Sequence, residues 1–244
     1  MKINNLYDAV YYINLDSRTD RLRKFWDYNQ KFLDQEKTIR ITACDAKNTC
    51  APKVRNGKLA PGDMQSLMMA RTAHAVSYSK AFIDALANGY KKIFIFEDDA
   101  EPLFEDIETF FFYESEAEKM GYDMFYAGGQ IVQDIEPAGN YLYKINNNVL
   151  ATQAISYRYN ETVFEKLAGL NDFNKTYESF TNHTKWGDYS TDEMIAEELT
   201  PITKSFISNR ILFGQYADHS DIECRKTNHS KLMQEKLKQA SNLK

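Results

Sequence analysis

No stretch of this chain approaches the ~18 consecutive apolar residues that a membrane-spanning helix needs, and the N-terminus runs straight into polar and charged residues instead of a signal-type apolar segment. That pattern predicts a cytoplasmic protein. Cysteine is scarce. Cys44, Cys50 and Cys224 are odd in number and lack Cys-x-x-Cys or other zinc spacing, which argues against a disulfide framework or a zinc ribbon and predicts free thiols in a reducing compartment. An excess of basic charge is also missing. With a net charge of −5, the body of the chain has no basic face of the kind that binds duplex nucleic acid. Gly-x-Ser-x-Gly, the phosphate-cradling Gly-rich loop and the dinucleotide fingerprint are all absent, so no nucleophile or nucleotide motif of the common kinds is present. There is no internal repeat and no long low-complexity linker.

The 244 residues allow one large domain, or one domain with a short appendage. Hydrophobic residues at 43% and charged residues at 27% suit a globular chain that buries a real core. Aromatics reach 14%, with 16 tyrosines. Tyrosine joins an apolar body to a polar tip, which suits sugar and base pockets as well as plain cores. Charge is uneven. Arg225, Lys226, Lys231, Lys236, Lys238 and Lys244 face Glu235 alone, so residues 225–244 carry about +5 and the rest about −10. The expected division is a domain over 1–224 and a basic helical tail over 225–244.

Along the first half, short apolar runs alternate with helical periodicity. Strands are expected at Ala9–Leu15, Ile39–Ala43, Ile93–Phe96 and Tyr122–Gly129. Helices are expected at Thr19–Asp34, Gln65–Ala87 and Asp106–Lys119, and Asn48–Asp63 is expected as a loop. This alternation predicts an α/β layered domain with a mainly parallel sheet flanked by helices. The second half is less regular. Tyr141–Ile145 and Val149–Tyr157 suggest a hairpin turning at Asn146–Asn148. Asn160–Leu167 and Thr191–Leu199 suggest helices, the latter with Ser190 or Thr191 as N-cap. Leu170–Tyr189 suggests a long loop, Phe206–Phe213 a strand, Gly214–Arg225 irregular chain, and Thr227–Gln239 a terminal helix.

Glu97-Asp98-Asp99 is the sharpest chemical feature, at the carboxyl end of a buried strand, where ligands of open α/β sheets bind. Adjacent carboxylates repel one another, and a hard divalent cation taking carboxylate and phosphate oxygens would relieve that repulsion. A solvated acidic turn is the competing reading. His219, between Asp218 and Asp221, either joins a carboxylate in holding Mn²⁺ or is a surface histidine. His74, inside the Gln65–Ala87 helix, reads by default as a buried histidine satisfied by hydrogen bonds. Asp192 and Glu193 begin a helix, where acids are favoured by its dipole in any case. Gly128-Gly129 either admits a close backbone approach or turns the chain.

Together these pieces resemble glycosyltransferase family 25, which includes bacterial lipooligosaccharide and collagen galactosyltransferases. The resemblance runs in order through VYYINLDSRTDR, ARTAHAVSYSKAFIDALANGYKKIFIFEDDA, DMFYAGG, ATQAISYRYN, STDEM and FGQYADHSDI, within residues 9–222. It implies a GT-A fold, with a nucleotide-binding sheet and an acceptor-binding second half. It also implies an inverting hexosyl transfer from a UDP-sugar assisted by Mn²⁺ or Mg²⁺. By the same resemblance Asn14, Leu15 and Asp16 lie beside the nucleoside, and Arg18 and Arg21 near it or its phosphates. Asp99 is then the main metal ligand, with Glu97 or Asp98 near the ribose or metal, and Asp192 falls where an inverting enzyme needs its base; His74 on the donor side, His219 as a second metal ligand and Glu193 as the substitute base complete the expected site. One stretch departs from the family. SLMMARTAH has Ala73 where a Ser precedes the His, and no Gly or Glu before it.

The acceptor does not follow from the resemblance. A glycan or lipooligosaccharide hydroxyl is the first expectation, with the basic tail resting on an anionic membrane. A protein hydroxyl or a hydroxymethylated DNA base is the alternative. Two other classes stay open: a nucleotide-sugar-binding protein without catalysis, and a metal-dependent nucleotidyltransferase or phosphohydrolase.

Overall fold

The computed structural model describes residues 1–46, 65–132, 135–147, 149–184, 189–216 and 235, with backbone alone at 64, 218–219 and 226–227. The fully apolar runs become the central strands. β1 (Ala9–Asn14) and β3 (Lys92–Glu97) pair in parallel, and β1 also pairs in parallel with the edge strand β2 (Thr38–Thr42). Each central strand is buried on both faces, which explains why neither alternates polar with apolar residues. The helix between β2 and β3 is α2 (Met64–Asn88), and α1 (Thr19–Asn29) links β1 to β2. α1 stops short of the expected Asp34. At its end the buried Asn29 side chain ties the helix to the chain just after β3, donating to the carbonyls of Phe25 and Ala100 at 2.9 Å each.

β4 (Ala100–Pro102) follows β3, and after it come α3 (Ile107–Met120), β5 (Met124–Ile131), β6 (Glu136–Ala138), β7 (Leu142–Lys144) and β8 (Val149–Arg158). The eight-stranded sheet has the order β2-β1-β3-β8-β5-β9-β7-β6, where β9 is Ser205–Ser208. The pairings make β7 and β8 run against the other six, so the sheet is mostly parallel by strand direction. The described chain is thus the expected α/β type, a mainly parallel sheet flanked by helices.

Several expectations need correction. β7 and β8 form no hairpin: β8 inserts between β3 and β5, and β7 pairs with β6 and β9. The span Leu170–Tyr189 is not all loop. It holds α5 (Phe173–Asn182), capped by the Asp172 side chain and anchored by buried Thr176 and Phe180. It follows α4 (Glu161–Ala168), where a helix was expected. Phe206–Phe213 is not one strand, because the chain breaks after β9 and resumes as β10 (Phe213–Gln215), paired with β4. The expected helix at Thr191–Leu199 starts as α6 (Thr191–Met194) and continues as a single π-helical turn over Ile195–Leu199. Within Gly214–Arg225 and Thr227–Gln239, β11 (Asp218–His219) pairs with β12 (Lys226–Thr227). Gly214 and Gln215 belong to β10, Tyr216 follows buried and Glu235 is helical; the rest of those spans, the Asn48–Asp63 loop and the boundary at 224/225 lie outside the described residues.

Gly128 proves to be a close-approach glycine. A Cβ there would sit 2.1 Å from the Phe213 carbonyl oxygen, so β10 crosses directly over β5. No helix among the described residues is long and apolar enough to cross a membrane.

Candidate active site

The parallel strands β1 and β3 end side by side, Ile13 opposite Glu97, and antiparallel β8 begins at that same edge. A cleft of about 400 Å³ opens there, walled by the ends of β1 and β3, by α2, by the start of β8 and by Ser190–Glu193. It gathers Asn14, Leu15, Arg21, His74, Glu97, Asp98, Asp99, Asp192 and Glu193 from sequence positions far apart.

The acidic triplet divides its partners unequally. Glu97 accepts from His74 Nε2 at 3.3 Å and from the Thr152 hydroxyl. Burial works against its charge, but His74 and Thr152 outweigh it and hold the carboxyl below the usual range. Asp98 accepts from Arg21 Nη1 at 2.8 Å and from Asn14 Nδ2 at 2.7 Å. Asp99 lies 3.5 Å from Arg21, and its Oδ1 is buried and accepts no hydrogen bond. Burial pushes the Asp99 carboxyl up to about 7; Arg21 opposes this, and the charges of Glu97 and Asp98 add to it. The triplet therefore does not depend on an external cation throughout. Arg21 and His74 serve two of its members, and Asp99 alone presents an unused buried oxygen.

Across the cleft, Ser190 is the N-cap of α6. Its hydroxyl makes no capping bond and instead meets the carboxylates of Asp192 and Glu193. Burial, reinforced by the Asp192 charge, pushes the Glu193 carboxyl up to about 7. Asp192 Oδ2 also accepts from the backbone N–H of Ala151 at 3.2 Å. Ala151 holds φ at 73°, the left-handed region that a residue with a Cβ enters only at a cost. That conformation turns its N–H out of the sheet, where β5 and β8 slip register between Gly128 and Gln130.

Other residues expected to bind the donor have different places. Asn14 is buried, donates to Asp98 and to the Arg18 carbonyl, and accepts from Arg40 at 2.8 Å, so its polar atoms brace the loop after β1. Asp16 is exposed at the rim and pairs with Arg40 at 2.8 Å. Arg18 pairs with Asp20 at 2.9 Å, and neither it nor Asp16 lines the cleft. The backbone of His219 is in β11, while its side chain lies outside the described residues. Sequence reading missed Arg71, Gln130, Ala151, Thr152, Ser190 and Gln215, which line the cleft. All but Gln130 lie within the family-like segments, but nothing local marks them as cleft residues, and the insertion of β8 beside β3 is what brings Ala151 and Thr152 there.

Among the described residues, no group of three or more His, Cys, Asp or Glu side chains converges on a metal position. The described side chains therefore offer no full protein cage. The unpartnered Asp99 oxygen fits a different demand, that of Mg²⁺ or Mn²⁺ held by one carboxylate together with substrate phosphates and water.

No family model matches the chain, and no curated protein matches it. Among solved structures the chain is similar to A197 from STIV at 9% identity and a TM-score of 0.42, covering 90% of this chain and 93% of that one. It is also similar to the mannose-1-phosphate geranyltransferase from Thermus thermophilus at 8% identity and a TM-score of 0.38, covering 82% of this chain and 72% of that one. At these scores neither likeness carries an argument about chemistry.

Proposed function

We propose that this chain is a GT-A type inverting glycosyltransferase that moves a hexose from a UDP-sugar to an acceptor hydroxyl. The observation that carries this reading is the opposition of two unlike carboxylate groups in one cleft. Asp99 is a buried acid with a free oxygen at the carboxyl edge of the sheet. Asp192 faces the same space with its oxygens oriented by Ala151 and Ser190. The family resemblance in residues 9–222 supports the same assignment.

In this reading Asp99 would hold Mn²⁺ or Mg²⁺, which would supply charge neutralisation at the donor diphosphate. Arg21 adds a fixed positive charge on that side. The acceptor oxygen attacks the anomeric carbon as the bond from that carbon to the diphosphate oxygen breaks, and UDP departs with the bonding pair. Asp192 takes the acceptor hydroxyl's proton, a contribution of roughly 10²–10⁴-fold. The first-choice acceptor is a glycan or lipooligosaccharide, with a protein hydroxyl or hydroxymethylated DNA base as the alternative.

The test is release of nucleoside diphosphate from a panel of nucleotide sugars with Mn²⁺ and no acceptor, with donor binding read on the same samples. Release from one UDP-sugar that is lost with chelator and in Asp99→Ala is the expected result. Asp192→Asn should still bind UDP while losing at least about tenfold in turnover. Binding without release, even with acceptors supplied, would favour a nucleotide-sugar-binding protein. The absence of both binding and release would overturn the reading.

A further inference from the structure

His74 has both ring nitrogens engaged inside the protein. Nε2 meets Glu97 Oε1 at 3.3 Å, and Nδ1 meets Thr191 Oγ1 at 3.0 Å. These partners belong to opposite sides of the cleft. Glu97 begins the acidic triplet at the end of β3, and Thr191 opens the turn that carries Asp192. The imidazole therefore spans from one pole to the other, and α2 supplies the rigid base on which it stands. The ring sits over Tyr78, one turn along the helix, at 5.8 Å between centroids. Tyr78 is itself fixed by a 2.9 Å bond to Tyr157 in β8.

The Glu97 end is fastened a second time by Thr152, and the Thr191 end is followed at once by Asp192, which Ala151 holds by its N–H. Thr152 and Ala151 are neighbours in β8. A closed circuit thus runs Glu97, His74, Thr191, Asp192, Ala151, Thr152 and back to Glu97. Every side chain in it is at least partly buried. A ring with both nitrogens committed in this way has no lone pair or proton left for a donor sugar or phosphate.

Resting on the glycosyltransferase reading, we infer that His74 is a positioning residue: a strut that fixes the base-bearing turn at Ser190–Glu193 relative to the acidic end of β3. Small displacements matter here, because misplacing a reacting group by about 1 Å can cost on the order of 10²-fold in rate. The strut is needed because α6 is short and passes at once into a π-helical turn, so the turn has little helix of its own to hold it.

The experiment compares His74→Ala, His74→Gln, Thr191→Val and the double variant His74→Ala with Thr191→Val. It reads donor Kd with Mn²⁺, kcat for transfer, and hydrogen exchange across 189–199. Gln can offer an N–H to Glu97 and an oxygen to the Thr191 hydroxyl, so it is the conservative replacement. The strut predicts kcat down about 10–100-fold in His74→Ala, with donor Kd within about threefold. It also predicts partial recovery in His74→Gln, a loss of similar size in Thr191→Val, and no further loss in the double variant. Exchange in 189–199 should quicken in His74→Ala and Thr191→Val while β3 stays protected. Donor Kd weakened about tenfold or more in His74→Ala, with kcat kept, would overturn the inference and make His74 a donor ligand. Additive losses in the double variant would overturn it as well. If the wild-type chain transfers no sugar, the glycosyltransferase reading fails. The exchange data still decide the strut, since unchanged protection in 189–199 sinks it whatever the chemistry.

Discussion

Asp99 concentrates the tension in this protein, because a buried carboxylate with an unsatisfied oxygen is costly unless something binds it. Its ordinary value is 3.8 and in the fold it stands at about 7, so the folded state favours the protonated form. Between those values the folded chain binds more protons than the unfolded one, and stability falls as pH rises. The stabilising effect of protonation is complete below about pH 4 and gone above about pH 7. Asp99→Asn should therefore raise the metal-free stability at pH 8 by about 1–3 kcal/mol, a gain that shrinks towards pH 5. Urea unfolding at the two pH values measures it. A loss of stability at pH 8 would show that the carboxylate is satisfied in the folded chain after all. The same proton competes with a cation, so Mn²⁺ affinity should weaken up to about tenfold per pH unit below pH 7, as titration calorimetry would read. A flat profile would move the metal away from Asp99.

At the scale of elements, the active edge depends on β10 lying close over β5. Gly128→Ala would drive a Cβ to 2.1 Å from the Phe213 carbonyl oxygen and 2.7 Å from Gln153 Nε2. The first of these is backbone and cannot swing aside. The variant should lose about 2–3 kcal/mol, seen as a lower urea midpoint at unchanged slope. It should also disturb Gln215, which β10 carries to the cleft. A neutral substitution would mean that the strand crossing is loose. This crossing shows where sequence reading stops. The glycine pair was visible, and so were the choices of close approach or turn, but the partner was a strand far along the chain, beyond any local pattern. The central strands and α1, α2 and α3 were legible because a doubly buried strand shows an unbroken apolar run and a packed helix shows a stripe. α5 was missed for the opposite reason. Phe173, Thr176, Tyr177 and Phe180 do recur at helical spacing, but the stripe is only two turns long, includes a threonine and is set among polar residues, so it does not stand out from loop. The site was half legible on the same grounds. The carboxylates stand in recognisable local runs, whereas Arg21 as the partner of Asp98 and His74 as the partner of Thr191 are products of topology.

Across the whole molecule, charge is arranged as an acidic body of about −10 and a basic tail of about +5. Six carboxyl groups line the cleft, those of Asp45, Glu97, Asp98, Asp99, Asp192 and Glu193. A polyanion such as DNA would be repelled there and attracted only by the tail, so its binding would be weak and separate from turnover. An anionic membrane needs no entry into the cleft. The proposed membrane contact would be made through the tail alone, at ~1 kcal/mol per Lys or Arg near the surface. Removing residues 228–244, which spares the β11–β12 pair, should therefore leave nucleotide-sugar hydrolysis unchanged and reduce partition onto phosphatidylserine-containing vesicles at least about tenfold at low salt. The difference should shrink as salt screens the tail. Equal partition by the shortened chain would remove the membrane role. A steep salt dependence of binding to DNA, with hydrolysis stimulated by hydroxymethylated duplex, would instead make the tail a nucleic-acid arm and the acceptor a modified base.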